Sequence, residues 1–317
     1  MALMICLSAF SQPRIRVIID NDLGGDPDGL FQLAHQLLSP SAEVCGVIGS
    51  FHYDNFYHMD GTARAGAAKG NELLNVMREE FPSLPVIKVI AGQETKVTSL
   101  DALPEATEAS DIIIREAMKN DKRQLYVLCG AGLTNIATAL LRQPEIARRL
   151  TLVWIGGPEY ADLCMVNPRP QREYNLGIDI KAAQVVFNKS DVAIWQIPRD
   201  AYRQCICSMA ELNRRLRDVN KTGTFLMNEL DNMMRLAGGG KMGETYVLGD
   251  SPLTLVTALQ TAWEPDAASC EYSNIPCPII NDNGWYEPNT DGRKIRVFTR
   301  LDLRLMIEDF YAKIQTK

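Results

Sequence analysis

Short apolar runs alternate with amphipathic stretches over the first two-thirds of the chain, and that alternation predicts its architecture. Ile15, Val17, Ile18 and Ile19 read as a buried strand, and Leu30, Leu33, Ala34 and Leu37 mark the inner face of a helix after it. The strand pattern returns at Val44–Ile48, Val86–Ile90, Leu125–Cys129, Leu152–Ile155 and Val192–Ile197. Helical spacing fills the gaps at Asp60–Phe81, Ile112–Met118, Leu133–Leu141 and Ile180–Phe187. Pro82 and Pro85 end the second helix and Pro144 opens a short one. Continuous apolar strands between helices predict an α/β fold, a mostly parallel central sheet with helices on both faces.

Beyond Pro198 the pattern turns helical, with Met209–Val219, Thr224–Leu236 and Ser251–Trp263, broken by Gly238-Gly239-Gly240. Strand-like pieces at Cys270–Ile280 and Ile295–Phe298 precede a closing helix, Leu301–Ile314. Gln93–Ala109 is polar and broken by proline, as a surface loop would be. Glu159–Gly177 is a longer polar loop, and loops of that length inside a domain tend to be functional. No repeat or clean linker divides residues 13–317, which read as one domain.

Composition narrows the function. The net charge of −6 and the lack of a basic stripe argue against a nucleic-acid or anionic-membrane partner. No run reaches the ~20 apolar residues needed to span a bilayer. Met1–Phe10 is apolar, and Ala9-Phe10-Ser11 has the small-x-small form of a signal-peptidase site. Residues 1–12 thus read as a signal peptide whose start is misplaced, since a basic n-region is missing; a short extra strand or a disordered end is the alternative. Export to the periplasm or outside is favoured over a cytoplasmic location. Of the eight cysteines, Cys6 would leave with the signal, and the others have neither a compact disulfide framework nor zinc spacing.

The candidate chemistry gathers where the first strand ends. Asp20, Asp22, Asp26 and Asp28 fall within nine residues, with Gly24, Gly25 and Gly29 between them. Carboxylates crowded at a strand end repel one another unless a cation sits among them, and hard oxygen donors suit Ca²⁺ or Mg²⁺. A turn rich in Asp and Gly is the plainer explanation. Gly130, ending another strand, and Asp250, before a late helix, would join an oxygen-rich site if all meet at one sheet edge. Asn167, Glu173 and Asn175 supply two amides and a carboxylate in nine residues, groups suited to sugar hydroxyls or to loop-stabilising turns.

Four further segments, with the opening Asp20-Asn-Asp-Leu-Gly-Gly-Asp26, resemble the inosine-uridine-preferring nucleoside hydrolase family. They are Gly132-Leu-Thr-Asn-Ile-Ala137, Trp154-Ile-Gly-Gly157, Glu173-Tyr-Asn-Leu-Gly-Ile-Asp179 and Ala183-Gln-Val-Val-Phe-Asn188. The similarity runs with gaps from about Val17 to the last helix, in matching order. The resemblance implies a nucleoside-hydrolase-like fold, a bound Ca²⁺, hydrolysis of the N-glycosidic bond of a ribonucleoside or related N-riboside, and a homodimer or homotetramer. It implies that Asp22 binds Ca²⁺ and takes a proton from the attacking water, and that Asp26 binds ribose. Asp28, the Gly130 carbonyl and Asp250 complete the metal ligands, with Asp250 also counted at the substrate. Asn167, Glu173 and Asn175 hold ribose hydroxyls.

Three departures stand beside the matches. Pro27 lengthens the first loop by one residue, Gly249 replaces a histidine expected before the late aspartate, and Gln93–Ala109 holds no histidine. Leaving-group help must therefore come from elsewhere, or the leaving group must depart without protonation. His52 follows the second strand and could reach the site, whereas His35 and His58 are poorer candidates; Tyr53, Tyr246, Trp285 and Tyr286 are rings that could stack a base, although core packing is the plainer role for any one of them. Two rivals remain. A sugar- or nucleoside-binding relative would keep the ligand sites without turnover. A haloacid-dehalogenase-type phosphatase would use Asp20 as nucleophile in Asp20-Asn-Asp22.

Overall fold

The computed structural model describes residues 13–52, 60–164, 168–238, 243–260 and 269–316. Twelve strands are present among them: β1 Ile15–Asn21, β2 Ala42–Gly49, β3 Val89–Ala91, β4 Leu125–Cys129, β5 Leu150–Ile155 and β6 Ala193–Ile197, then β7 Ile206–Ser208, β8 Thr245–Val247, β9 Cys270–Pro276, β10 Ile279–Ile280, β11 Tyr286–Glu287 and β12 Lys294–Leu301. Eight form one sheet in the order β3-β2-β1-β4-β5-β6-β12-β9. All neighbours run parallel except β12 and β9. The parallel α/β sheet expected from the alternation is therefore present, with an antiparallel strand closing one edge.

Its strands are apolar throughout because both faces are covered. Ile19, Val47, Leu128 and Val153 point into a core shared with the helices Asp28–Leu37 and Leu303–Gln315; Ile18, Ile48, Val127 and Leu152 point into a core shared with Glu108–Met118 and Thr134–Arg142. Adjacent residues of one strand thus serve opposite cores, as a period of two dictates.

Helix ends moved most against the sequence reading. Thr62 caps the helix Ala63–Glu80 through Ala65 N–H, so it starts three residues after Asp60. The helix expected at Ser251–Trp263 is only one turn, Pro252–Leu255, before a run of turns; residues 261–268 lie outside the described residues. The helix expected at Ile180–Phe187 divides into an α-helical turn and a π-helical turn at Val185–Lys189. The 1–12 segment, His58 and the Gly239-Gly240 break also lie outside the described residues. No helix among those described is long and apolar enough to cross a membrane.

Parallel pairing of β1, β4, β5 and β6 puts their carboxyl ends on one edge, where ligands of open α/β sheets collect. The short β7–β8 ribbon then returns the chain to that edge and delivers Tyr246, Gly249 and Asp250.

Candidate active site

A cavity of about 360 Å³ opens at this edge. Asp22, Asp26 and Asp28 line it from the β1 end, Gly130 from the β4 end, Glu173 and Asn175 from the long loop, and Asp250 from beyond β8. Sequence segments more than 200 residues apart thus meet in one concavity, and seven of the eight residues expected there are present. Asn167, the eighth, lies outside the described residues.

Asn21 organises the acidic floor. Its side-chain oxygen accepts the Asp22 N–H at 2.9 Å. A Cβ at position 130 would run into the same side chain, so glycine there lets β4 pass directly over it. Asp250 N–H donates to Asp28 at 3.1 Å, tying the late segment to the first loop. Burial pushes the Asp22, Asp28 and Asp250 carboxyls well above their usual range. Mutual repulsion, including that from Asp26, pushes them further in the same direction. No ion pair joins Asp22, Asp26, Asp28 or Asp250 to a basic side chain among the described residues. Nor do three described acidic, histidine or cysteine side chains converge at metal-ligand spacing.

The loop residues are held tightly. Glu173 caps the helix Tyr174–Ile178, accepting Asn175 N–H at 3.2 Å and Leu176 N–H at 2.9 Å. It also accepts Gly157 N–H at 2.8 Å and the Tyr202 hydroxyl at 2.9 Å. Asn175 spends its amide on two carbonyls, Gly130 at 3.2 Å and Ile155 at 2.8 Å. Glycine at 157 is required twice over: its φ is +87°, and a Cβ would strike Tyr286 and Gln196. Behind the loop, Arg199 forms a buried bidentate pair with Glu159, Nε–Oε1 2.7 Å and Nη2–Oε2 2.5 Å. The same guanidinium donates to the Gln171 carbonyl at 2.8 Å. One side chain therefore fastens both limbs of the loop.

Asp20 does not reach the cavity. It is fully buried, accepts hydrogen bonds from Ser50 and from Asn135 (2.9 Å), and has the Cys129 thiol 3.7 Å away. Burial raises its carboxyl to about 6, with those donors working against the rise. A phosphatase nucleophile must face its substrate, so the placement of Asp20 removes the phosphatase reading.

Among the rings proposed as base stackers, Tyr246 lines the cavity. Trp285 and Tyr286 do not: they border a separate cavity of about 550 Å³, where Tyr286 stacks on Tyr160 at 4.7 Å and its hydroxyl accepts from Gln196 at 2.6 Å. Tyr53 lies outside the described residues. His52 lines the site, while His35 is buried against Asp309 at 2.8 Å, far from it. Sequence reading missed Tyr202, Arg203, Met233, Thr245 and Val247, which also line the wall. Tyr202 follows β6 by five residues, at the same sheet edge as the acidic loop, and that register was the available signal.

The comparisons with known proteins converge on one family. A family model described as inosine-uridine preferring nucleoside hydrolase matches residues 17–299. The inosine-uridine preferring nucleoside hydrolase of Leishmania major is 30% identical over 132 residues, 40% of this chain and 39% of that protein. Non-specific ribonucleoside hydrolase RihC of Salmonella newport is 33% identical over 116 residues, 36% of each chain. The matched stretches therefore span less than half the length of these curated relatives. Over nearly the whole chain the fold agrees with solved structures. A purine-preferring ribonucleoside hydrolase from Gardnerella vaginalis has a TM-score of 0.65 at 21% identity, covering 95% of this chain and 98% of that one. A structure titled inosine-guanosine nucleoside hydrolase has a TM-score of 0.71 at 16% identity, covering 96% and 99%.

Proposed function

The chain belongs to the inosine-uridine preferring nucleoside hydrolase family, and from that premise we propose that it hydrolyses the N-glycosidic bond of a ribonucleoside or related N-riboside, releasing ribose and the free base. The observation that carries this reading is the meeting of Asp22, Asp26, Asp28, Gly130, Glu173, Asn175 and Asp250 around one cavity. In the proposed reaction a water oxygen bonds to the anomeric carbon as the C–N bond breaks. Asp22 accepts the proton of that water from its place on the cavity floor. Asp26 and Glu173 supply negative charge beside a sugar whose ring becomes cationic as the bond breaks. His52 is the cavity-lining histidine available to protonate the departing base.

We propose Ca²⁺ as the cofactor. The donor chemistry fits: the Asp22, Asp28 and Asp250 carboxylates and the Gly130 carbonyl are hard oxygen donors, and the carboxylates lack a basic partner among the described residues. When bound, such an ion would lower the pKa of a coordinated water and fix its position.

The crowding at Gly249 favours a second reading. A Cβ there would lie 3.1 Å from Asp28 Oδ2 and 3.4 Å from Tyr202 Cδ2, so a side chain would have to push these neighbours back by a few tenths of an ångström, and glycine itself supplies no acid at this wall. A binding protein without turnover would tolerate that. The test is ribose release from a nucleoside panel, with and without chelator, by the wild type and Asp22→Asn. Cation-dependent release lost in the variant is expected. Stoichiometric riboside binding without release from any substrate would replace the enzyme with the binding protein.

A further inference from the structure

We propose that Tyr202 is a substrate-contacting residue whose phenol oxygen receives a hydroxyl group of the bound sugar. The inference rests on the riboside reading of the site above. It starts from the capacity of Glu173. A carboxylate offers about four acceptor positions, and all four are taken within the protein. Three donors are backbone amides, Gly157, Asn175 and Leu176, fixed by the turn after β5 and by the first turn of the helix that Glu173 caps. The fourth is the Tyr202 hydroxyl, the only side chain of the set and one that lines the cavity. A sugar hydroxyl cannot add a fifth bond to Glu173. It must displace Tyr202 or bind to it.

Binding to Tyr202 is the better use of the geometry. The phenol proton is committed to Glu173, and burial, the Glu173 charge and that hydrogen bond keep the phenol protonated. Its oxygen then has lone pairs to offer and no second proton. A sugar hydroxyl donating there completes a chain, sugar O–H to Tyr202 O–H to Glu173 carboxylate, in which each bond polarises the next. The ring is placed for this contact, lying beside Gly249, next to Asp250. The sugar-facing element of this wall is therefore Tyr202, with Glu173 acting through it.

The experiment compares kcat/KM of the wild type and Tyr202→Phe for one good ribonucleoside substrate and its 2′-, 3′- and 5′-deoxy analogues. The wild type should penalise at least one analogue by roughly tenfold or more, the worth of one hydrogen bond to a charge-linked group. Tyr202→Phe should lose a similar factor on the ribonucleoside and show almost no penalty for that same analogue. A purely structural role would lower all four substrates alike and leave the penalties intact, which overturns the proposal. So would a fall in KM in Tyr202→Phe, the mark of a substrate that has to displace the hydroxyl. Tyr202→His, whose ring can still donate to Glu173, is carried in parallel with a thermal melt; it should restore part of the selectivity, and should do so even if the Phe variant fails to fold. A wild type that neither cleaves nor binds any riboside would instead refute the underlying reading, a result distinct from both.

Discussion

Replacing Arg199 with methionine should destabilise the protein by about 4 kcal/mol, most of it from stranding one carboxylate. The Glu159 side chain is 1% exposed, and its Arg199 partner 6%. The substitution removes two charge-assisted bonds to Glu159, at 2.7 and 2.5 Å, and two to carbonyls, Gln171 at 2.8 Å and Arg169 at 3.3 Å. It leaves Glu159 with the Arg169 N–H, at 3.4 Å, as a weak donor. Removing one partner of a buried pair costs about 3–5 kcal/mol because the other charge stays behind desolvated. The individual bonds, about 1.5–3 kcal/mol each, describe the same loss and are not added to it. Urea unfolding at pH 7.5 provides the measurement, with an unchanged m-value required for the comparison. Removing the charge as well, in Arg199→Met with Glu159→Leu, should recover much of the deficit. The pH dependence has a definite sign. Burial raises the Glu159 carboxyl, yet the hydrogen bonds and charge of Arg199 hold it below its ordinary 4.5. Stability from a depressed carboxyl is present above the unfolded value and lost as pH falls through the folded one, so the deficit should narrow below about pH 4.5. A loss under about 1 kcal/mol, or a double variant no better than the single one, would refute the stranded-charge account.

Two other perturbations test the charge layout. The Asp22, Asp28 and Asp250 carboxyls are raised by burial and mutual repulsion, so their contribution favours folding at low pH and is lost as pH rises above their ordinary 3.8. Chelation should therefore lower the melting temperature more at pH 7.5 than at pH 5, with Ca²⁺ at a hundred times its Kd restoring about 2.7 kcal/mol; identical melts with and without Ca²⁺ would exclude a cation at this floor. The second concerns His35, which burial holds below 6.5 despite Asp309 at 2.8 Å. A depressed histidine resists the proton that the unfolded chain accepts, so stability should fall as pH drops below 6.5. Asp309, held low by His35 and Lys313 against the effect of burial, adds a loss at still lower pH. His35→Gln should flatten the slope between pH 6.5 and 5 in a denaturation series, and an unchanged slope would place the acid sensitivity elsewhere.

The sheet was legible because both its faces are buried: Val17–Ile19 and Leu125–Cys129 are apolar without alternation, and they are strands. The acidic residues were legible because four aspartates in nine positions are costly without a purpose. Less legible were elements set by tertiary contact. The helix expected from Ser251 stops after one turn, although its spacing is helical. Trp285 and Tyr286 look like base stackers by composition, but pairing of β10 with β11 carries them to another cavity. Tyr202 carries no motif. Its importance comes from a hydrogen bond to a residue 29 positions earlier, which periodicity cannot register.

The position of β12 has a consequence for how the chain is made. This strand lies inside the sheet, parallel to β6, with Arg296 opposite Trp195 across about a hundred residues of intervening sequence. While the chain emerges from the ribosome, β1 to β5 can pair among themselves, and the Asp22 floor and the Gly130 carbonyl can take their places. β6, which supports Arg199 and Tyr202, is left with an open edge until β12 arrives. Pairings so distant in sequence are slow to form, and an open edge is a site of misassociation. The helix that follows β12 then docks on the first helix, with Phe310 against Phe31 and Asp309 against His35, so a late element secures an early one. The Asp22–Asp28 and Gly130 part of the floor can thus take shape early in synthesis, whereas Asp250 and the Tyr202 wall are completed only as the later segments join.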